Sequence, residues 1–228
     1  MFAFTLSDVI HSRSIPLMKR PFEWQQLSPI YQDPRRAYHD IRHIQTLMRE
    51  VLCLNIPEDM KLWLEAIAWT HDAYYDPLLG SPGNEDFSAR LLNTSLGASF
   101  TQDGLDLAFA TIALTAEHNI THPTIDPLSA LFLDIDISHL GAAYPVFVRN
   151  CQLISEEYRH CGVADNVLIE GYHKFFEGML SRSRLYYTQM YEHLEGVARE
   201  NLTKGLTESA VLVAPPQLVI FEHPSDAE

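Results

Sequence analysis

The chain has 228 residues, of which 46% are apolar and 20% charged, and 30 Asp+Glu against 16 Lys+Arg leave a formal charge of -14. That composition excludes a disordered chain, and the acidic balance argues against a surface that tracks a nucleic-acid duplex, which needs clustered Lys and Arg. Charges break the longest apolar runs before the ~18 residues of a membrane span, three cysteines form no CxxC pair, and the N-terminus lacks a basic n-region. The expectation is therefore a cytoplasmic protein in a reducing compartment, with neither membrane nor duplex as partner.

Ten glycines amount to about 4% of the chain, below the ~7% average, and the apolar periods are helical, so an all-α fold with short connections is expected. Residues 1–21 show no clear period and read as an irregular lead-in. Asp33-Pro34 offers an N-cap followed by proline at the first helical position. Ile41, Ile44, Leu47, Met48 and Val51 then predict an amphipathic helix ending before Pro57. A second helix opens at Pro57-Glu58-Asp59 and leads into His71-Asp72. The segment from Asp76 to Gly83 reads as a loop, and a third helix runs from about Asn84 to Leu96. Thr101 caps a fourth that ends near His118. Pro123 and Pro127 precede a fifth, SALFLDIDISHL, stopped by Gly141. Three more helices are expected around 144–160, 164–181 and 187–204. The tail from 205 to 228 reads as an extended arm, leaving residues 22–204 as one domain.

Three pieces place His or Asp beside an apolar stripe: Tyr38-His39-x-x-x-His43, Ala66-Ile67-Ala68-Trp69-Thr70-His71-Asp72, and Leu133-Asp134-Ile135-Asp136-Ile137-Ser138. On a continuous helix His39 and His43 share a face, although helix geometry does not say which would bind a metal. His71 and Asp72 would project from one helix about 100° apart. Asp134 and Asp136 stand two residues apart, so at most one can be a direct ligand. Imidazoles with carboxylates suit Mn, Fe, Co, Ni or Zn better than Ca. Each motif alone also has a structural explanation: a core histidine, a local cap, a dipole-complementing charge. Their joint occurrence on three helices is what points to a metal centre.

The order His … His-Asp … Asp resembles the HD superfamily of metal-dependent phosphohydrolases. The stretches YQDPRRAYHDIRHI, AIAWTHDAYYDP, NEDFSA, ALFLDIDISHLG and AREN are similar to a bacterial subfamily of it, over about residues 22–204. The resemblance implies an HD-domain helical bundle with His43, His71, Asp72 and Asp136 as ligands of a divalent metal, Mg included. Tyr38-His39-x-x-x-His43 is also similar to a segment of cyclic-nucleotide phosphodiesterases, which implies His39 as general acid and His43 as ligand. Asp136-Ile137-Ser138 resembles the DLS of that family and favours Asp136 over Asp134. Asp40 stands where those enzymes have Asn, so this likeness does not fix the substrate.

Around this set, Arg36 is a candidate to hold a phosphate oxygen, or is a solvated helix-start arginine. Glu85 is a candidate base or second-metal group. Asn84 is a candidate substrate contact, or caps its helix while Glu85 complements the dipole. His118 is a candidate substrate contact or second-metal ligand, with His122 weaker. Arg182, Tyr186 and Tyr187 could line a pocket, and Ser155 departs from the arginine of the resembled subfamily.

The function expected is hydrolysis of a phosphoester or phosphoanhydride in a small phosphorylated molecule, nucleotides among them. Because the chain is acidic, an anionic substrate must be drawn in by local charge. Two alternatives stand beside it: a non-catalytic metal- or nucleotide-binding HD module, and a di-iron HD-fold oxygenase. The latter needs extra histidines between Asp72 and Asp136, where only His118 and His122 lie.

Overall fold

A computed structural model describes residues 3–13, 15–80, 82–118 and 125–216. Among them the chain is all-α, without a strand; two isolated bridges, Phe4–Thr188 and Met18–Phe100, are the only extended pairings. The helices, in chain order, are α1 (Leu6–His11), α2 (Ile41–Cys53), α3 (Glu58–Ala68), α4 (Gly83–Leu96) and α5 (Gln102–Thr115). They continue with α6 (Pro127–Asp136), α7 (Tyr144–His160), α8 (Asp165–Leu180), α9 (Glu195–Thr207) and α10 (Ser209–Leu212). Among these residues no helix is long and apolar enough to cross a membrane.

The bundle is organised around α6. Every residue from Leu128 to Asp136 is buried, so this helix has no solvent face, and an apolar run of that kind must lie at the centre of a bundle. Asp126 fixes its start by accepting from the Leu128 amide at 2.9 Å, and Pro127 takes the first helical position, where a missing N–H costs nothing. Proline here begins the helix rather than breaking the chain. Helices α2 and α5 pack against α6, and α3 lies against both α2 and α5. Thr101 caps α5 as expected, its hydroxyl accepting from the Gly104 amide at 3.1 Å. Gly104 in turn allows the Leu17 carbonyl to approach so closely that any Cβ would overlap it.

Several boundaries differ from the sequence pattern. The lead-in contains a helix, α1, opened by a Thr5–Asp8 capping box, and Val9, Leu17 and Met18 belong to the main core. Helix α2 starts not at Asp33-Pro34 but seven residues later, with Asp40 accepting from the Arg42 amide at 2.8 Å. Asp33 is instead engaged by Arg35, and residues 34–40 form turns. The helix expected over 187–204 begins only at Glu195, because Asp134 draws the Tyr187 and Thr188 amides into its own hydrogen bonds. Of the expected arm, residues 205–207 finish α9 and 209–212 form α10. Helix α10 is docked by Gln152 on the Val211 carbonyl and Ser155 on the Leu212 carbonyl; residues 217–228 lie outside the described set.

Candidate metal centre

The N-terminal turn of α2 meets the C-terminal ends of α3 and α6, and that junction gathers the predicted ligands. His43 projects from the first turn of α2, Asp136 is the last residue of α6, and His71 and Asp72 occupy the turn that follows α3. The helix thus stops at Ala68, short of the His-Asp pair, although the Thr70 and His71 amides still bond to the Ile67 carbonyl and extend the turn.

His43 Nε2 lies 3.4 Å from His71 Nε2. Asp136 Oδ1 is 3.5 Å from the first and 3.4 Å from the second. Asp72 Oδ2 is 3.1 Å from His71 Nε2 and 3.8 Å from His43 Nε2. Ligands about 2.1 Å from one cation stand roughly 3.0–3.4 Å apart in octahedral or tetrahedral arrangement. The spacing and the donor types therefore fit a divalent metal, and the His43–His71–Asp72 group could hold one. The remaining ring nitrogen of His71 supports this: Nδ1 faces the Ala68 carbonyl at 3.0 Å, which leaves Nε2 as the lone-pair atom turned to the cluster.

Burial opposes a charged His71, but the Asp72 and Asp136 carboxylates outweigh it and raise its pKa well above the usual value. Burial likewise raises both aspartates, and His71 more than reverses that, holding each below the ordinary carboxylate range.

Asp134, two residues before Asp136, points away. It is fully buried and accepts from the Tyr187 amide at 2.8 Å, the Thr188 amide at 2.7 Å and the Thr188 hydroxyl at 2.6 Å. Only one of the pair enters the cluster, as the two-residue step requires.

His39 reaches the same place from a different element. It lies in the turn before α2, so it shares no helix face with His43, yet the two rings are 5.8 Å apart. The residue that puts it there is Glu157 of α7, 1% exposed. Its Oε1 accepts from the amides of Ala37 (2.9 Å), Tyr38 (2.8 Å) and His39 (2.7 Å), and its Oε2 pairs with His39 Nδ1 at 2.7 Å. The other ring nitrogen, Nε2, stands 3.9 Å from Asp72 Oδ2, at the edge of the cluster. Tyr75 covers the ring at 4.1 Å between centroids. Burial disfavours a charged His39, but Glu157 and then Asp72 prevail and raise its pKa. Glu157 is held low by His39 and the backbone amides despite its burial.

The supporting residues take other parts than the sequence suggested. Arg36 spends its guanidinium on the carbonyls of His39 (3.0 Å), Asp72 (2.8 Å) and Ala73 (2.9 Å), so it ties together the two loops that carry the site instead of reaching out to a phosphate. Asn84 does not cap α4. Its amide accepts from the Asp76 N–H at 3.0 Å and donates to the Asp76 carbonyl at 3.1 Å, while Ser88, one turn on, does the same with Tyr74. This pair clamps the loop that follows the His-Asp turn. Glu85 stands in the first turn of α4 and lines a surface groove between α4 and α5 with Arg90, Asn93 and Ala113.

His118 does reach the centre, with Nε2 2.8 Å from Asp136 Oδ2, the oxygen turned away from the closer imidazole contacts. Its backbone adopts φ 47°, and the Tyr187 hydroxyl (2.7 Å) and the Arg182 guanidinium both donate to its carbonyl. Arg182 and Tyr187 thus fix His118; Tyr186 is buried, its hydroxyl on the Ile137 carbonyl. His122 lies outside the described residues. Asn201 of the AREN stretch donates to the Leu140 and Ala142 carbonyls, holding the turn beyond α6.

Sequence reasoning missed Glu157, Tyr75 and His139. The last donates from Nδ1 to the Asp136 carbonyl at 3.1 Å, and burial lowers its pKa to about 4. Glu157 had one weak signal, a carboxylate in a helix that buries Phe147, Cys151 and Ser155.

Comparison with family models, with curated proteins and with solved structures returned no match, so the site stands on its own geometry.

Proposed function

We propose that the chain is a metal-dependent phosphohydrolase of the HD type, acting on a phosphoester or phosphoanhydride of a small molecule. The observation that carries this reading is the pairing of two devices in one place. His43, His71 and Asp72 come together at a spacing that could hold a metal, with Asp136 against both imidazoles, and beside them a histidine backed by a buried carboxylate turns its free nitrogen toward the same point.

His43, His71, Asp72 and Asp136 would hold the cation, which when bound supplies Lewis acidity and a lowered water pKa. The remaining chemistry belongs to His39. With Glu157 accepting from Nδ1, the raised pKa keeps a proton on Nε2, available to the oxygen that leaves phosphorus. A water oxygen bonds to phosphorus, the ester or anhydride P–O bond breaks, and the departing oxygen takes the Nε2 proton. His39 then recovers a proton from solvent or from the water that was consumed. Arg36 and the Asn84–Ser88 clamp keep the two site loops in register while this happens.

Elemental analysis of the purified protein, followed by a phosphate-release screen with that metal restored, tests the reading. The expected result is a stoichiometric divalent metal and release from at least one phosphorylated compound. His39→Ala should keep the metal and lose turnover; a variant with full activity would remove His39 from its role. One observation favours the di-iron oxygenase alternative: His118 offers a further imidazole 2.8 Å from Asp136. Two irons per chain with oxygen uptake, and no phosphate release, would decide for it.

A further inference from the structure

A groove of about 570 Å³ follows α2 away from the metal centre. Thr46 and Glu50 line it, and they lie three and seven residues beyond His43 on the same helix face. Its near end is formed by Ser138 and His139, the latter bonded to the carbonyl of Asp136. Leu54, Val146, Met190 and Leu194 make most of the remaining wall apolar.

Glu50 is the anomaly in that wall. Its Oε1 accepts from the Ser138 hydroxyl at 2.6 Å and its Oε2 from the Tyr191 hydroxyl at 2.7 Å. Both donors are neutral, and no cation pairs with this half-buried carboxylate among the described residues. A carboxylate that accepts only from neutral hydroxyls still attracts a cationic donor, so the groove favours a cation at this point. Tyr191, whose ring stacks on Tyr186, belongs to the same wall. From His43 to Glu50 the helix rises about 10 Å.

We infer that this groove receives an apolar organic ammonium, its charged head on Glu50. Resting on the phosphohydrolase reading, we assign that molecule as the leaving group of the substrate: an aliphatic alcohol that carries an amine roughly 10 Å from the ester phosphorus. On hydrolysis the alcohol departs along the groove with the proton from His39, and inorganic phosphate remains at the centre. A carboxylate in that position also disfavours leaving groups that bear further phosphates.

The binding half is tested on the purified chain with hexylammonium, hexanol and hexanoate, titrated by calorimetry. Hexylammonium should bind about tenfold or more tighter than the other two. The advantage should vanish in Glu50→Gln and in Thr46→Lys, the second an exposed position one turn from Glu50, where folding is not at risk and the new amine competes for the carboxylate. Equal binding of all three probes, or undiminished hexylammonium binding in both variants, overturns the groove. For the leaving group, kcat/KM for 6-aminohexyl phosphate should exceed that for hexyl phosphate about tenfold, with a ratio near one in Glu50→Gln. Release from both esters at a ratio near one in the unaltered protein overturns the leaving-group assignment and leaves the phosphohydrolase reading standing. Release from no ester of any kind refutes that reading, and the amine titration still decides the groove.

Discussion

Replacing Glu157 by Gln probes the arrangement that distinguishes a working acid from a buried histidine. The carboxylate receives three backbone amides on one oxygen and His39 Nδ1 on the other, all between 2.7 and 2.9 Å. Glutamine keeps an acceptor for the amides but turns an NH2 toward Nδ1, setting donor against donor. Hydrogen bonds to a charged group are worth about 1.5–3 kcal/mol against about 0.5–1.5 for neutral ones, so four weakened bonds lose roughly 4 kcal/mol. Easier burial of the neutral amide returns part of that, leaving a net loss of about 2–4 kcal/mol and a melting point lower by about 5–15 °C. Turnover should fall at least about tenfold, with the ~10²–10⁴-fold worth of a general acid as the ceiling. Metal content should not change, because neither residue is among the proposed ligands. The decisive readout is the pH profile. In the unaltered protein the alkaline limb should report loss of the His39 proton and should lie above the ordinary histidine value, because Glu157 and Asp72 outweigh burial. In the variant that limb should move to lower pH. An unmoved limb, with kcat within about twofold, would refute the role of Glu157 in holding the proton.

Metal affinity, measured by competition with a chelator, should rise with pH by up to about tenfold per unit, since the proton that His71 holds above its usual pKa must leave before a cation enters. The metal-free protein should be acid-labile for the same reason in reverse. Asp72, Asp136 and Glu157 have folded-state pKa values below the unfolded ones, so the stability they give is present above about pH 4 and disappears as pH falls through their depressed values; urea melts from pH 6 downward check this. Asn84→Ala removes both bonds to Asp76 and should cost about 1–3 kcal/mol, with faster hydrogen exchange confined at first to residues 74–79. Gly104→Ala forces a methyl into the Leu17 carbonyl and should destabilise by about 3 kcal/mol or more, seen as a loss of soluble protein or a large drop in melting temperature.

The all-α class and most helices were readable because apolar spacing and caps act locally: α3, α4, α5, α7 and α8 lie within a few residues of their expected limits. The errors share one cause, a distant polar group capturing backbone amides. Glu157 takes the amides of residues 37–39, which a helix begun at Asp33 would have used, and Asp134 takes those of residues 187–188. Neither partnership leaves a trace in local periodicity, since 118 and 54 residues separate the ends. His43, His71 and Asp72 lie together with Asp136 beside the two imidazoles, but two of the pieces arrive there by other local structure than a continuous helix. His39 and His43 converge across a turn, not along a helix, and His71 and Asp72 lie beyond the end of α3. What ordered the candidates was residue type and sequence, while Arg36 and Asn84 show that a polar residue near a site is as easily a brace as a contact.

Because its ligands come from the start of α2, the turn after α3 and the end of α6, a cation held by all four would act as a covalent staple does. It would close two long loops, one between residues 43 and 71 and another between 72 and 136, and strip the unfolded chain of the freedom those segments otherwise regain. Chelation would then do more than silence the centre: it would unpin the central helix from its neighbours, and the cell's supply of that ion would set how long the folded chain survives.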